Sequence, residues 1–413
     1  MTPRTIGVLV LLAAALTPCA RGATDADAIA DADAVAPPLQ LEWDARWRYA
    51  TLDDDAFAHT GFADTLRLRI GVAGAFGNGW SALVEGAGIA SAGNRYNSGA
   101  NGQVQYPLES DPRGAVLNQA WLAWQRAEFS ATVGRQRLQF DNQRWIGNSG
   151  WRQFEQTFDA VAFRWQATPS LALRYAWLDR VHRVSGPDAL NPLARARALD
   201  THLVNAAWTH ATWEWVGYAY LHEDRDVPSA STATVGTRWT GHLRADAQGL
   251  GWALEAARQR KYANNPLSFS HAYWLAEPSW TVGTFTATLG WEYLGGNGHH
   301  ALQTPLASLH PFNGWAGEFG VIPNGGLKDG HVGATGRFGS GRLDGKLAWA
   351  LTWHAFQSVR GSRYGTETDG SLSLPLTRQV AALFEVASYR ADTFARNDAR
   401  VWLQLEWKGT HAL

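Results

Sequence analysis

Apolar and polar residues alternate along this chain in runs of about ten residues, repeated from near the N-terminus to the end, and few folds satisfy that pattern. From Leu39 to Tyr49, one face carries Leu39, Leu41, Trp43, Ala45, Trp47 and Tyr49 and the other Gln40, Glu42, Asp44, Arg46 and Arg48. Successive strand side chains point to opposite faces, so the run is a two-faced strand of unambiguous register. One such run would also suit a soluble sheet with a wet face; repetition separates the two cases. Leu66, Leu68, Ile70 and Val72 alternate with Arg67 and Arg69, Val161, Phe163 and Trp165 with Ala162 and Arg164, and Leu171, Leu173, Tyr175 and Trp177 with Arg174. Phe285 to Tyr293, Leu347 to Trp353 and Val401 to Trp407 repeat it.

About 18 runs are present, each near the length a tilted strand needs to cross the hydrocarbon layer. The fold expected is all-β, a transmembrane antiparallel β-barrel of about 18 strands of the outer-membrane type. Closure is obligatory, because an open edge in lipid would leave backbone N–H and C=O groups unpaired at several kcal/mol each. A barrel this wide cannot be filled by its own side chains, so water or an infolded loop occupies the lumen. Gly77-Asn-Gly79, Thr168-Pro-Ser170, Gly339-Ser-Gly-Arg342 and Pro375-Leu-Thr-Arg378 read as short turns, while the connections around 93–113, 183–198 and 295–328 are long.

Arg4, the apolar run Val8 to Leu16 and the small residues Ala20, Gly22 and Ala23 read as a secretory signal peptide over 1–23. Its core is too short to span a bilayer as a helix, and no later run of about 18 consecutive apolar residues exists. The single cysteine, Cys19, falls inside it, so the exported chain is expected to lack thiols and disulfides; Pro18 argues against a lipoprotein anchor there. Residues 24–38, rich in alternating Ala and Asp and closed by Pro37 and Pro38, read as a disordered leader, and 39–413 as the barrel, without a second domain. The 22 Trp and 11 Tyr suit the two interfacial girdles of such a barrel. A net charge of −1 does not suit a nucleic-acid binder. The partners expected are outer-membrane lipid, lipopolysaccharide and a polar solute.

Arginine dominates the wet face. Arg46, Arg48, Arg67, Arg69, Arg164 and Arg174 lie on the polar side of the first seven strands, and Arg135, Arg137, Arg144 and Arg152 lie with Asp159 between 134 and 159. The guanidinium fork grips a carboxylate through two hydrogen bonds and stays charged, so these residues are expected to line the solute pathway as a basic wall that favours anions. The alternative is a salt-bridged network in which they pair with Glu42, Asp44, Glu85 and Asp159. In the long segment 295–327, His310, Phe312 and Trp315 are candidates to anchor a loop that folds into the lumen or caps it.

Motifs for catalysis are not found. Gly86-Ala-Gly88 lies in a strand and opens no helix, there is no Gly-x-Ser-x-Gly, and His202, Asn205 and His354 lie on separate strands with no serine in register. His299-His300 lacks a neighbouring cysteine or carboxylate cluster. No enzyme activity, cofactor or metal is therefore expected.

Two stretches resemble the alginate-export family of outer-membrane proteins. One is Gly134-Arg-Gln-Arg-Leu-Gln-Phe-Asp-Asn-Gln-Arg-Trp-Ile-Gly-Asn-Ser-Gly-Trp-Arg-Gln-Phe-Glu-Gln-Thr-Phe-Asp159. The other is Leu302-Gln-Thr-Pro-Leu-Ala-Ser-Leu-His-Pro-Phe-Asn-Gly-Trp-Ala-Gly317, followed by Pro323 and Gly326-Leu327. Weaker echoes include Leu117-Asn-Gln-Ala-Trp-Leu122 and Tyr364-Gly-Thr-Glu-Thr-Asp369. The resemblance implies an 18-stranded barrel in the outer membrane of a Gram-negative bacterium, with an arginine-rich lumen that conducts a polyuronate and with periplasmic export components as partners. A substrate-specific or general porin importing small solutes is the alternative, and a non-conducting adhesion barrel the third reading.

Overall fold

The computed structural model describes residues 39–339 and 345–413; the expected signal peptide, the leader and most of the turn Gly339 to Arg342 lie outside them. Among the described residues eighteen strands follow one another: β1 (Leu39–Asp54), β2 (Gly61–Gly77), β3 (Trp80–Ser91), β4 (Gly114–Arg126), β5 (Phe129–Gln136), β6 (Thr157–Thr168), β7 (Leu171–His182), β8 (Ala196–His210) and β9 (Trp213–Asp224) form the first half. The second half is β10 (Thr232–His242), β11 (Gly249–Lys261), β12 (Ser270–Val282), β13 (Phe285–Leu294), β14 (Leu327–Arg337), β15 (Ala348–Gln357), β16 (Arg363–Pro375), β17 (Val380–Ala391) and β18 (Asp398–Ala412). Each strand pairs antiparallel with its neighbours in sequence, and β1 pairs with β18 over its length, so the sheet is a closed barrel without an edge. This is the barrel that the alternation predicts, and its closure supplies every strand with two ladders of backbone hydrogen bonds. No helix among the described residues is long and apolar enough to cross a membrane; the crossing elements are strands.

Leu66, Leu68, Ile70 and Val72 of β2 stand exposed on the outer face, while Arg67 and Arg69 between them are buried on the lumen side. Aromatic residues gather near the strand ends, where Trp80 and Trp124 lie 6.4 Å apart and Trp239 and Trp252 5.1 Å apart, both close to turns. An indole at that height places its ring against acyl chains and its N–H at the headgroups. The two ends of the barrel differ. The β2–β3 connection is Asn78-Gly79, both with positive φ, as a two-residue hairpin requires, and a Cβ on Gly79 would fall 1.8 Å from the carbonyl oxygen of Gln125. Two residues also join β4 to β5, β6 to β7, β8 to β9 and β12 to β13, whereas 92–113, 137–156 and 295–326 connect strands at the opposite end.

Those last two loops fold inward. Leu138, Phe140, Trp145 and Ile146 of the first and Leu302, Leu306, Phe319 and Ile322 of the second are buried in one cluster with Leu199, Leu203, Tyr218 and Tyr273 of the wall. The core of this molecule is thus the filling of the lumen, and it joins loops to strands.

The outward face gives a direct test. An arginine near the bilayer midplane on the lipid face costs about 2–4 kcal/mol, so Ile70→Arg is expected to lower folding stability by that amount, measured by denaturant titration of the barrel folded into vesicles.

Candidate functional site

Loop 137–156 crosses the lumen. At one side, Asn205 of β8 donates to Asp141 at 3.0 Å, Trp145 Nε1 donates to Glu255 of β11 at 2.8 Å, and Arg144 pairs with Glu292 of β13 at 2.9 Å. At the other, Trp151 Nε1 donates to Glu385 of β17 at 2.8 Å, its ring stands edge-on to Trp402 of β18 with centroids 5.3 Å apart, and its carbonyl accepts from Arg48 of β1. In the ring of strands, β8 to β13 and β17 to β1 are opposite walls. Ten residues of extended chain reach at most ~35 Å, enough to bridge them.

The second infolded loop lies against the first. Ile146 and Leu306 form a parallel bridge, Gly147 N donates to Leu306 O at 2.9 Å, Ser149 N donates to Ser308 Oγ at 2.8 Å, and Gln156 Nε2 donates to Leu306 O at 3.0 Å. Gly147 permits the approach, because a Cβ there would be 2.3 Å from Ser308 Oγ. His310 stacks on Trp151 with centroids 3.9 Å apart, Trp315 follows at 5.6 Å from His310, and Phe312 lies 4.7 Å from the Arg144 guanidinium. The two stretches that stand out in the sequence therefore meet as one partition, and all three loop candidates sit in it.

Arginines on the lumen side are bound up with carboxylates. Arg46 pairs with Glu406 at 2.8 Å and donates to the carbonyls of Gly150 and Trp151; Arg48 pairs with Asp111 at 3.1 Å and lies 4.1 Å over the Trp151 ring. Arg67 bonds Asp44 and Glu406, Arg69 lies 3.4 Å from Glu155, Arg137 joins Glu85 and Glu155, and Arg152 reaches Glu109. Burial would raise the Glu155 carboxyl, but Arg137 and Arg69 outweigh it and hold the group at about 2. Arg164 and Arg174 face each other across β6 and β7 on the lumen side, nearer the turns.

Two candidates are placed elsewhere. Arg135 and Asp159 pair with each other at 2.8 Å and share the strand face of the exposed Val133 and of Val161, so they lie on the outer surface and not in the lumen. The reason is the period of the strand: Gln136 and Phe158 beside them take the inward positions, buried. His202 also faces outward, 2.8 Å from the Tyr175 hydroxyl, away from Asn205 and His354. Sequence reasoning missed the acidic partners Glu109 and Asp111, which nothing in loop 92–113 marks out. It also missed the acidic wall formed by Glu255, Glu277, Asp329, Glu367, Asp369 and Glu385, which only the strand alternation could have shown.

The alginate-export family profile matches residues 38–261, more than half of the chain. No curated protein matches the sequence. The fold is similar to that of Pseudomonas aeruginosa OpdK, solved with vanillate, at 15% identity and TM-score 0.69 over 90% of this chain and 99% of that one. OccK11 (OpdR) of the same organism matches at 13% identity and TM-score 0.66, covering 90% and 96% of the two chains. Acinetobacter baumannii OccAB2 matches at 13% and 0.68, covering 90% and 98%. The barrel is an outer-membrane channel protein, with the fold these solved structures share.

One loop group predicts a pH response. Glu318, beside Asp54 and Asp398 where β1 meets β18, is pushed up to about 8 from 4.5 by burial and by the Asp398 charge. A raised carboxyl contributes stability that is complete below about 4.5 and is lost as pH rises through about 8. Thermal unfolding in detergent is expected to show a midpoint that falls from pH 5 to 9, and Glu318→Gln should flatten that slope.

Proposed function

The chain belongs to the alginate-export family, and from that premise we propose that its lumen passes a carboxylate-bearing polar solute, a uronate or short uronate oligomer, along an arginine path beside the partition. The observation that carries this reading is that two guanidinium groups, those of Arg137 and Arg152, stay partly open beside a buried arginine cluster. Arg67 Nε and Nη1 and Arg69 Nε and Nη2 are buried in the lumen wall with no protein acceptor. These atoms are closed to solvent and belong to the wall, and the acceptor that matches the more exposed forks beside them is a carboxylate. Arg137 and Arg152 stand beside them with side chains 31% and 28% exposed, open to a passing anion. Arg164 and Arg174 extend the path toward the turn end. Weak, repeated binding of this kind lets a solute enter and leave, which conduction requires. OpdK was solved with vanillate, also a carboxylate, which agrees with this chemistry.

Import of a small solute, as in a substrate-specific porin, is the second reading. It is favoured by the bridge from Ile146 to Leu306, which draws both loops together in the lumen and leaves less room for a polymer.

Planar-bilayer recording distinguishes these possibilities. The wild-type barrel is expected to prefer anions and to be blocked by uronates. Arg137→Lys with Arg152→Lys keeps the charge and loses the fork, and a charge-assisted hydrogen bond is worth about 1.5–3 kcal/mol, so block should weaken at least about tenfold while ion preference holds. Arg164→Gln with Arg174→Gln removes two charges, each worth about 0.4 kcal/mol at roughly 10 Å in water before screening, so the anion-to-cation permeability ratio should fall roughly threefold. Cation preference in the wild type would overturn the proposal, and trimers that block no better than the monouronate would favour the small-solute porin.

A further inference from the structure

The acidic wall opposite the arginines contains a cluster that the solute path does not use. Asp329 and His331 of β14 and His354 of β15 all point into the lumen, and His331 and His354 are direct cross-strand partners with ring centroids 5.2 Å apart. Each offers a ligand atom within 4.8 Å of the others. Around them, Glu277, Asp329, Glu367 and Asp369 are buried, and none of the four makes an ion pair with Arg or Lys among the described residues. Four buried carboxylates with only two imidazoles beside them take up positive charge, as protons or as a bound cation.

Orientation of the rings narrows the choice of what supplies it. Glu277 Oε1 accepts from His331 Nε2 at 2.9 Å, which directs the other nitrogen, Nδ1, to Asp329 Oδ1 at 3.7 Å. His354 faces the same carboxylate from the next strand, with Nδ1 hydrogen-bonded to Asp329 at 2.9 Å and Nε2 3.6 Å from Asp369 Oδ2. The His331 ring is thus held from outside by a carboxylate, and both rings are turned toward the shared Asp329; an outer carboxylate of this kind orients a metal-binding histidine. His331 Nδ1 has no hydrogen-bond partner, nor has Glu277 Oε2, nor Oδ1 of the fully buried Asp369. Bonds of about 2.0–2.2 Å place two ligand atoms about 2.9 Å apart at a right angle and about 3.4 Å apart at the tetrahedral angle; the His354–Asp329 distance of 2.9 Å falls in this range and the His331–Asp329 distance of 3.7 Å lies just beyond it.

The geometry points to a divalent transition-metal site of the zinc class, with His331 Nδ1, His354 Nδ1 and the Asp329 carboxylate as ligands and Glu277 as the group that orients the His331 ring. Two imidazole nitrogens favour zinc and its neighbours over calcium or magnesium, which take oxygen ligands. Three protein ligands leave a coordination position for water or a solute oxygen. Asn313 of the second infolded loop donates to Asp329 Oδ2 at 3.1 Å, so the ion would also fasten the partition to the wall.

Chelator-treated, dialysed barrel in detergent, titrated calorimetrically with Zn²⁺, is expected to bind one equivalent per chain. His331→Ala with His354→Ala should abolish the binding, Glu277→Gln should weaken it about 10–100-fold, and His299→Ala with His300→Ala should leave it unchanged. Heat-modifiable gel migration confirms that each variant is folded. Should the histidine variants fail to fold, Co²⁺ added to the wild type decides, since a four-coordinate site of the zinc class gives intense visible bands that Glu277→Gln should shift. Absence of stoichiometric zinc, a Co²⁺ spectrum like that of the aqueous ion, displacement of zinc by excess Ca²⁺, or loss of binding in the His299 and His300 variant would each overturn the assignment.

Discussion

Hydrocarbon offers no hydrogen-bond partner to a backbone, and this structure follows from that fact. Each strand must find two neighbours, so the sheet must close, and β1 lies along β18 for fifteen register pairs, from Gln40 opposite Ala412 to Asp54 opposite Asp398. Closure at eighteen strands sets the width of the lumen, and the width creates the need for a filling. Tertiary packing in the usual sense, one apolar surface on another, is therefore displaced from the sheet to the two loops. Outside, the apolar residues meet lipid and need no protein partner.

The filling is held largely by charge. Arg46, Arg48, Arg67 and Arg144 are buried beside Glu406, Asp111, Asp44 and Glu292; the pairs of Arg46 and Arg67 join neighbouring strands of one wall, and those of Arg48 and Arg144 fasten a loop to the wall. Pairs this dry add little net stability over well-packed apolar groups, but removing one partner costs about 3–5 kcal/mol because the other charge is stranded. Such a network fixes position better than it adds stability. That suits a lumen in which loops must stay put while water and solute pass. Basic and acidic residues are also segregated, arginines toward β1 to β7 and carboxylates toward β11 to β17, so a passing solute meets a field that runs across the lumen.

Strand identity, barrel class and the turn-and-loop asymmetry were legible because each depends on a period of two or on local turn chemistry, as Leu66 to Val72 and Asn78-Gly79 illustrate. The loop candidates His310, Phe312 and Trp315 were legible as large aromatic groups in a long connection. Arg135 and Asp159 were misplaced because their charge was given more weight than their parity, although Val133 and Val161 on either side already marked the face. The arginine partners were illegible for a different reason. Arg46 and Glu406 are 360 residues apart and become neighbours only when the first and last strands pair. The pairing of His331 with His354 is likewise a matter of register, which alternation alone cannot supply.

The loop anchored at Trp145 on one wall and at Trp151 on the other behaves as a strut. A strut between opposite sides of a cylinder sets the separation of those sides, so thermal breathing of the barrel is resisted along that diameter and left to the walls between its ends. Size discrimination would then belong to the strut and its anchors, and strand number would set only an upper bound. Two relatives with equal barrels and differently anchored struts would sieve differently.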